Sequence, residues 1–398
     1  MKKNILLLIS DTGGGHRAAA QAVSEAIHLL YPNQFTLLIE DVLANCTPPP
    51  FKHIPEFYRW MTRTGLPLWW IVWRTLSQPT VLRHALAVVK RAIRSHLVTY
   101  FRRVQPDMVV SLHPLMNHIG LDCFHLAGLT GPFVTVVTDL LTIHPTWIDP
   151  RVTRCVVPTE VARQQAMLWG MSPEKVTTCG QPVSLKFAYS PMDKRLLRQR
   201  SGIEPDQPTI LITGGGEGGR RLAVVAYSIA RQISNAQLLI VAGRSHALHQ
   251  ELITHIWPIP TQIYGFVDNM PELMHMSDLI VTKAGPNTIS EALCAALPIL
   301  IFDFMSGQEY ENVRYVRRSG AGTYIRNPGK IAKAVQELLM PDDPTLSLMA
   351  QQARQLAKPD ASLRIAEEIC MLIDPKLVRP TAVRDSLSRF GSHGVERN

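Results

Sequence analysis

Two glycine-rich turns, each joining a short apolar segment to a helix-like one, constrain most strongly what this chain can fold into. The first is Gly13-Gly14-Gly15-His16, after an apolar run at residues 5–9. The second is Gly214-Gly215-Gly216-Glu217-Gly218-Gly219, after a run at 209–213. Glycines at a strand-to-helix turn let backbone approach a ligand closely, and the following helix N-terminus presents unpaired N–H groups. Each turn opens an alternation of apolar, β-branched strand segments with helical ones, the pattern of a buried parallel sheet. In the first half, strands are expected at 5–9, 35–40, 108–112, 134–137 and 152–157, with helices at 18–30, 81–104 and from Thr159 onward. In the second half, strands are expected at 209–213, 237–241, 262–264, 279–281, 299–302 and 322–324, with closing helices at 346–357 and 362–373. The restart predicts an α/β protein of two Rossmann-like domains. Their expected bounds are 1–183 and 208–374, joined by a polar, basic connection at 184–207. Residues 375–398 are low in apolar side chains and predict a disordered tail.

At 398 residues with 46% apolar content, the chain can bury two cores of ordinary size. The net charge of +9 is concentrated: residues 48–105 hold ten Lys/Arg and one acid, Glu56. The same window holds four of the seven tryptophans, Trp60, Trp69, Trp70 and Trp73. No apolar run approaches the length of a membrane span. The apolar run after Met1-Lys2-Lys3 ends at Asp11 with no small-residue cleavage site, and reads as the first strand rather than a signal peptide. The six cysteines are widely separated and show no metal-type spacing, which predicts reduced thiols in a cytoplasmic protein.

His16 is the one side chain at the first turn able to take a proton near neutral pH. In the second half, Val281-Thr282-Lys283-Ala284-Gly285-Pro286-Asn287-Thr288-Ile289-Ser290-Glu291 reads as a strand end, a Gly-Pro turn and a helix start. Thr288 three residues ahead of Glu291 fits a capping box. Two readings of Glu291 stand on position alone: it caps the helix, or it accepts from ribose hydroxyls while the helix N-terminus faces a diphosphate.

These motifs, in this order, resemble the family 28 glycosyltransferases of the GT-B fold, and within them the monogalactosyldiacylglycerol synthases. The match rests on Asp11-Thr12-Gly13-Gly14-Gly15-His16-Arg17-Ala18, Val137-Thr138-Asp139-Leu140, His144-Pro145-Thr146-Trp147 and Val152-Thr153-Arg154-Cys155. It continues through Ala284-Gly285-Pro286-Asn287-Thr288-Ile289-Ser290-Glu291-Ala292 and Gly307-Gln308-Glu309, covering roughly residues 4 to 340. The sequence departs from the family at Asn287, where Gly is usual, at Ser306, where Pro is usual, and at Gly219, where Met is usual. The resemblance implies two Rossmann-like domains facing a central cleft. It implies a UDP-hexose donor on the second domain, galactose favoured, and a diacylglycerol acceptor at the first. On this reading Gly214, Gly215 and Gly216 lie by the donor phosphates, and Phe266 and Val267 meet the uracil through backbone groups. Gly285, Pro286, Asn287 and Thr288 cradle the diphosphate, Glu291 holds the ribose, and Gln308 and Glu309 bind hexose hydroxyls. Gly14 and Gly15 let the acceptor approach. His16 is the base of a single inverting displacement. Asp139 either orients His16 or is a structural acid at a strand end.

A UDP-sugar is a substrate here, so no cofactor is implied. No Asp-x-Asp pair occurs, which fits a reaction without a catalytic metal. A two-tailed lipid acceptor implies work at a bilayer surface, on the cytoplasmic face. Trp69, Trp70 and Trp73, with Trp147 on the acceptor side and the surrounding cations, are expected to meet anionic membrane lipids. The competing reading puts the tryptophans in the core. Rival functions are a glucosyl-diacylglycerol synthase, a lipid II-type N-acetylglucosaminyltransferase and a UDP-sugar 2-epimerase. A nucleic-acid role is not expected, since no helix-turn-helix, RNA-binding aromatic motif or zinc pattern accompanies the basic window.

Overall fold

The computed structural model describes residues 2–11, 13–64, 66–219 and 221–377. Within them the chain forms two six-stranded sheets, every pairing parallel. The first contains β1 (Lys3–Ile9), β2 (Phe35–Asp41), β3 (Met108–Ser111), β4 (Phe133–Val136), β5 (Arg154–Val157) and β6 (Val176–Thr178). Their order is β2-β1-β3-β4-β5-β6. The second contains β7 (Thr209–Thr213), β8 (Gln237–Val241), β9 (Thr261–Tyr264), β10 (Leu279–Lys283), β11 (Ile299–Asp303) and β12 (Gly322–Tyr324). Their order is β12-β11-β10-β7-β8-β9.

β1 shows why an all-apolar strand must be covered on both faces. Successive side chains point to opposite sides of a sheet. Leu6 and Leu8 enter one core, with Ile93, Leu97 and Phe101 of the helix Pro79–Val104 and Met116 and Ile119 of the helix Pro114–Leu126. Ile5, Leu7 and Ile9 enter the other, with Ala19, Val23 and Ile27 of the helix Gly15–Leu30.

Strand order also places the sites. After β1 the chain adds β2 on one side and then crosses to lay β3 on the other, pairing Leu8 with Ser111. After β7 it adds β8 and β9, then returns to lay β10 on the opposite side, pairing Thr213 with Thr282. Open α/β sheets bind ligands beyond the carboxyl ends of strands at such a reversal. The Gly13–Gly15 turn follows β1 and the 214–219 turn follows β7, so each glycine turn sits at the reversal of its own sheet.

All eleven expected strands form, to within two residues at most ends. The short strand β6 and the helix Pro114–Leu126 were not foreseen. Two domain boundaries are corrected. The helix Ala361–Ile373 belongs to the first compact unit, so the second ends at Pro359 and not at 374. Its Leu363, Ile365, Ala366, Ile369 and Cys370 complete the core beside the helix Gly15–Leu30, and Ser362 Oγ donates to the Val183 carbonyl at 2.6 Å. Residues from Lys186 are part of the second unit and not a free connection. The expected tail lies, from residue 378, outside the described residues, as does Thr12 of the first motif.

The supposed connection is held by a buried arginine. Arg198, in the helix Lys194–Arg200, donates to the carbonyls of Met276 and Pro205 and forms a 2.6 Å ion pair with Asp278. Asp278 also accepts from the Thr209 amide and Lys194. Burial pushes the Asp278 carboxyl up, but Lys194, the Thr209 amide and Arg198 outweigh it and hold it below the usual range. Asp278→Ala is therefore expected to cost about 3–5 kcal/mol in urea unfolding, because it strands a buried guanidinium. A depressed folded pKa gives stability that is present above the unfolded value, about 3.9, and is lost as pH falls through the folded one. Acidification below about pH 4 should thus destabilise the wild type more than the variant.

Candidate active site

The first turn places His16 earlier in its helix than expected. Gly14 takes φ 82°, a left-handed conformation that a side chain disfavours, and the helix starts at Gly15 instead of 18. His16 therefore lies in the first turn of that helix. Its Nδ1 is 3.1 Å from Thr138 Oγ1, just past β4, and the Leu112 carbonyl, just past β3, also engages the ring. Burial pulls the imidazole down to about 4 against the raising influence of Leu112 and Asp11. It is neutral at physiological pH, the state a base requires. Asp11 is occupied by Arg17 through bonds of 2.8 and 3.0 Å to Nε and an ion pair of 2.7 Å to Nη2.

Two residues near His16 are bonded to each other. Asp139 Oδ2 accepts from Trp147 Nε1 at 2.7 Å, so this carboxylate anchors the loop behind the base. Trp147 is 1% exposed, with its ring centroid 6.0 Å from that of His16. It is a core residue that cannot touch a membrane, which corrects its expected acceptor-side role. Asn117 Nδ2 donates to the Trp147 carbonyl, and Gln181 Nε2 to that of Thr138, extending the scaffold. His113 was missed. It is buried, its ring packs edge-on against His16 at 5.0 Å, and its Nδ1 has no hydrogen-bond partner among the described residues. Its position immediately beyond a strand at the sheet reversal was the available signal.

In the second unit, the turn after β7 needs its glycines. Gly215 has φ 80°, and a Cβ there would lie 3.0 Å from Lys283 Cε. The helix after β10 spans Pro286–Cys294, with Pro286 at its first position as expected. Its N-cap is Gly285 with no side-chain cap, so the Thr288–Glu291 capping box does not form. That removes the capping role for Glu291, whose carboxyl burial pushes up to about 7. Glu309 is 3% exposed: Oε1 pairs with Lys283 Nζ at 3.0 Å and Oε2 accepts from the Met305 amide at 2.8 Å. It is not open to a hexose hydroxyl in this conformation, contrary to expectation. Gln308 neighbours it at the end of the loop after β11. Phe266 is exposed beside half-buried Val267, past β9, and the Arg244 guanidinium lies 4.3 Å over its ring. Lys283 and Arg244 were not singled out in the sequence.

The tryptophan-rich segment divides. Trp69 is buried against Tyr58 and Trp73, and the ring of half-buried Trp73 lies tilted with its centroid 4.5 Å from that of His144. Trp69 is thus a core residue. Phe57, Trp60, Leu68, Trp70 and Ile71 remain exposed, and Arg74 lies over the Trp70 ring. Among the described residues, no helix is long and apolar enough to cross a membrane.

Comparison with known proteins agrees with this layout. The model of the monogalactosyldiacylglycerol (MGDG) synthase family matches residues 16–183, and that of the glycosyltransferase family 28 C-terminal domain matches 209–365. The chain is 36% identical over 384 residues to the chloroplastic monogalactosyldiacylglycerol synthase of Spinacia oleracea, covering 94% of this chain and 73% of that protein. The crystal structure of Acinetobacter baumannii MurG superposes with a TM-score of 0.57 at 16% identity, over 92% of this chain and 99% of that one. A putative UDP-N-acetylglucosamine 2-epimerase from Listeria monocytogenes gives 0.60 at 15% identity, over 96% and 99%. Those two likenesses establish the GT-B fold and leave the reaction to the sequence relatives and the site. With both halves matched and more than a third of its residues shared with a curated relative, the chain belongs to the monogalactosyldiacylglycerol synthase family of glycosyltransferases.

Proposed function

We propose that this protein is an inverting galactosyltransferase that moves galactose from UDP-galactose to the free hydroxyl of 1,2-diacylglycerol, giving a β-galactosyl diacylglycerol. The observation that carries this reading is the His16 imidazole, held by Thr138 at the sheet reversal of a chain in this family. The acceptor oxygen attacks the anomeric carbon as its proton passes to His16. The bond from that carbon to the diphosphate oxygen breaks, and UDP leaves with the electron pair. Attack opposite the leaving group inverts α to β.

Donor recognition is assigned to the second unit. The turns at 214–216 and 285–288 receive the diphosphate, the second at the N-terminus of the helix Pro286–Cys294, and Phe266 and Val267 border the uracil. Gln308 is assigned to the hexose. Glu291 accepts from ribose hydroxyls as a carboxylate. Because burial raises its pKa to about 7, it is half protonated near neutrality, and the donor KM should rise as pH falls from 8 to 6. Glu291→Gln should raise KM at pH 8 and flatten this dependence; a wild-type KM that ignores pH across the interval would contradict the assignment.

No metal is assigned a part. Oriented backbone amides and cationic side chains supply the positive potential for the leaving diphosphate. Turnover should therefore survive a chelator such as EDTA, measured as release of UDP; its abolition and recovery with a divalent cation would overturn this.

The same proposal makes the enzyme a peripheral protein of the cytoplasmic membrane face. The exposed Phe57, Trp60, Leu68, Trp70 and Ile71 suit shallow insertion, and the ten cations of residues 48–105 suit anionic lipid.

A further inference from the structure

We propose that Lys283 is the cation that receives the diphosphate of the sugar-nucleotide donor, and that Glu309 holds it in place instead of reading the hexose. The inference rests on the donor-site reading above and adds a group to it.

The two glycine turns of the second unit lie on either side of this lysine. Lys283 is the last residue of β10, and the pairing of β10 with β11 shifts register between Thr282 and Lys283. The irregularity falls at the point where the strand gives way to the Gly-Pro turn. From there the side chain runs between both turns: a methyl on Gly215 would lie 3.0 Å from its Cε, and one on Gly285 would lie 3.6 Å from the same atom. The ammonium nitrogen is 3.9 Å from that second position. Any anion seated on the amides of the two turns would thus meet this ammonium at close range.

The partner carboxylate is fixed and the lysine is not. Glu309 is nearly inaccessible, and both its oxygens are engaged, by Lys283 and by the Met305 amide. The Lys283 side chain keeps 31% of its surface exposed. An ammonium has three protons, and the bond to Glu309 uses one. A purely structural ion pair tying β10 to the segment after β11 would account for the contact with Glu309. It would not account for routing the lysine to within contact distance of both glycine turns, at one of which, Gly215, a side chain would crowd it.

Titration calorimetry of the full-length protein with UDP and with uridine tests this. The variants are Lys283→Met, Lys283→Arg and the double variant Lys283→Met/Glu309→Gln, which leaves no buried unpaired carboxylate. Both methionine variants should bind UDP about 10- to 100-fold more weakly, the range expected for losing charged hydrogen bonds. Uridine, which has no diphosphate, should bind them as it binds the wild type, and Lys283→Arg should restore most of the UDP affinity. A double variant that binds UDP as tightly as the wild type would overturn the proposal. So would an equal loss of uridine and UDP, which would mark Lys283 as structural. Failure of the wild type itself to bind UDP would instead overturn the donor-site reading on which the proposal stands.

Discussion

His16→Ala is expected to lower kcat by about 10²- to 10⁴-fold, the usual contribution of a positioned general base. UDP affinity should stay at its wild-type value, because His16 lies in the first unit and the donor groups in the second. The loss belongs to kcat because the proton moves only as the acceptor oxygen attacks. The environment makes the imidazole ready for this: burial keeps it neutral above about pH 4, and Thr138 and the Leu112 carbonyl fix the ring. Asp139→Asn tests the scaffold rather than the base. It leaves an oxygen to accept from Trp147 Nε1, and should cost far less than loss of His16. Rates measured on diacylglycerol dispersed in detergent would separate these effects from membrane binding. Near-wild-type turnover by His16→Ala would remove the mechanism.

The second large effect is expected at the membrane. Trp60, Trp70 and Ile71 are roughly half exposed, at 54, 46 and 54%. Transferring each half-exposed apolar side chain into an interface contributes about 1 kcal/mol. Changing all three to serine should thus weaken vesicle binding on the order of 100-fold. Melting temperature and UDP affinity should not change. The surrounding cations add attraction that rises with anionic lipid content and falls with salt. Flotation with neutral and anionic vesicles at two salt concentrations measures both parts. Wild-type binding indifferent to charge and salt would refute the electrostatic part, and a triple variant that binds normally would refute insertion.

The strands were legible because burial on both faces demands uninterrupted apolar, β-branched runs, and those runs announce themselves residue by residue. The two glycine turns were legible for a similar reason: backbone that must approach closely excludes side chains locally. What a buried side chain faces is not local, and there the reading failed. Asp139 and Trp147 are eight positions apart, and nothing in their spacing says that one holds the other. Trp69 and Trp70 are neighbours with opposite environments, because one residue along a helix turns the side chain by about 100°. The helix Ala361–Ile373 shows its apolar stripe plainly, yet its partner is the helix near the other end of the chain. Glu309 was read as a sugar ligand by resemblance, and its burial against Lys283 emerges only when two segments meet. His113, Thr138 and Lys283 share the recoverable signal, each lying at or just beyond the end of a strand that flanks a sheet reversal or neighbours one.

The most direct test of the central claim is to incubate the purified protein with diacylglycerol vesicles and, separately, UDP-galactose, UDP-glucose and UDP-N-acetylglucosamine, and to determine the anomeric linkage of any glycolipid formed. The predicted result is β-galactosyl diacylglycerol from UDP-galactose, with the other donors far slower. An α-linked product, a preference for UDP-glucose, or sugar-nucleotide epimerisation without transfer to lipid would contradict it.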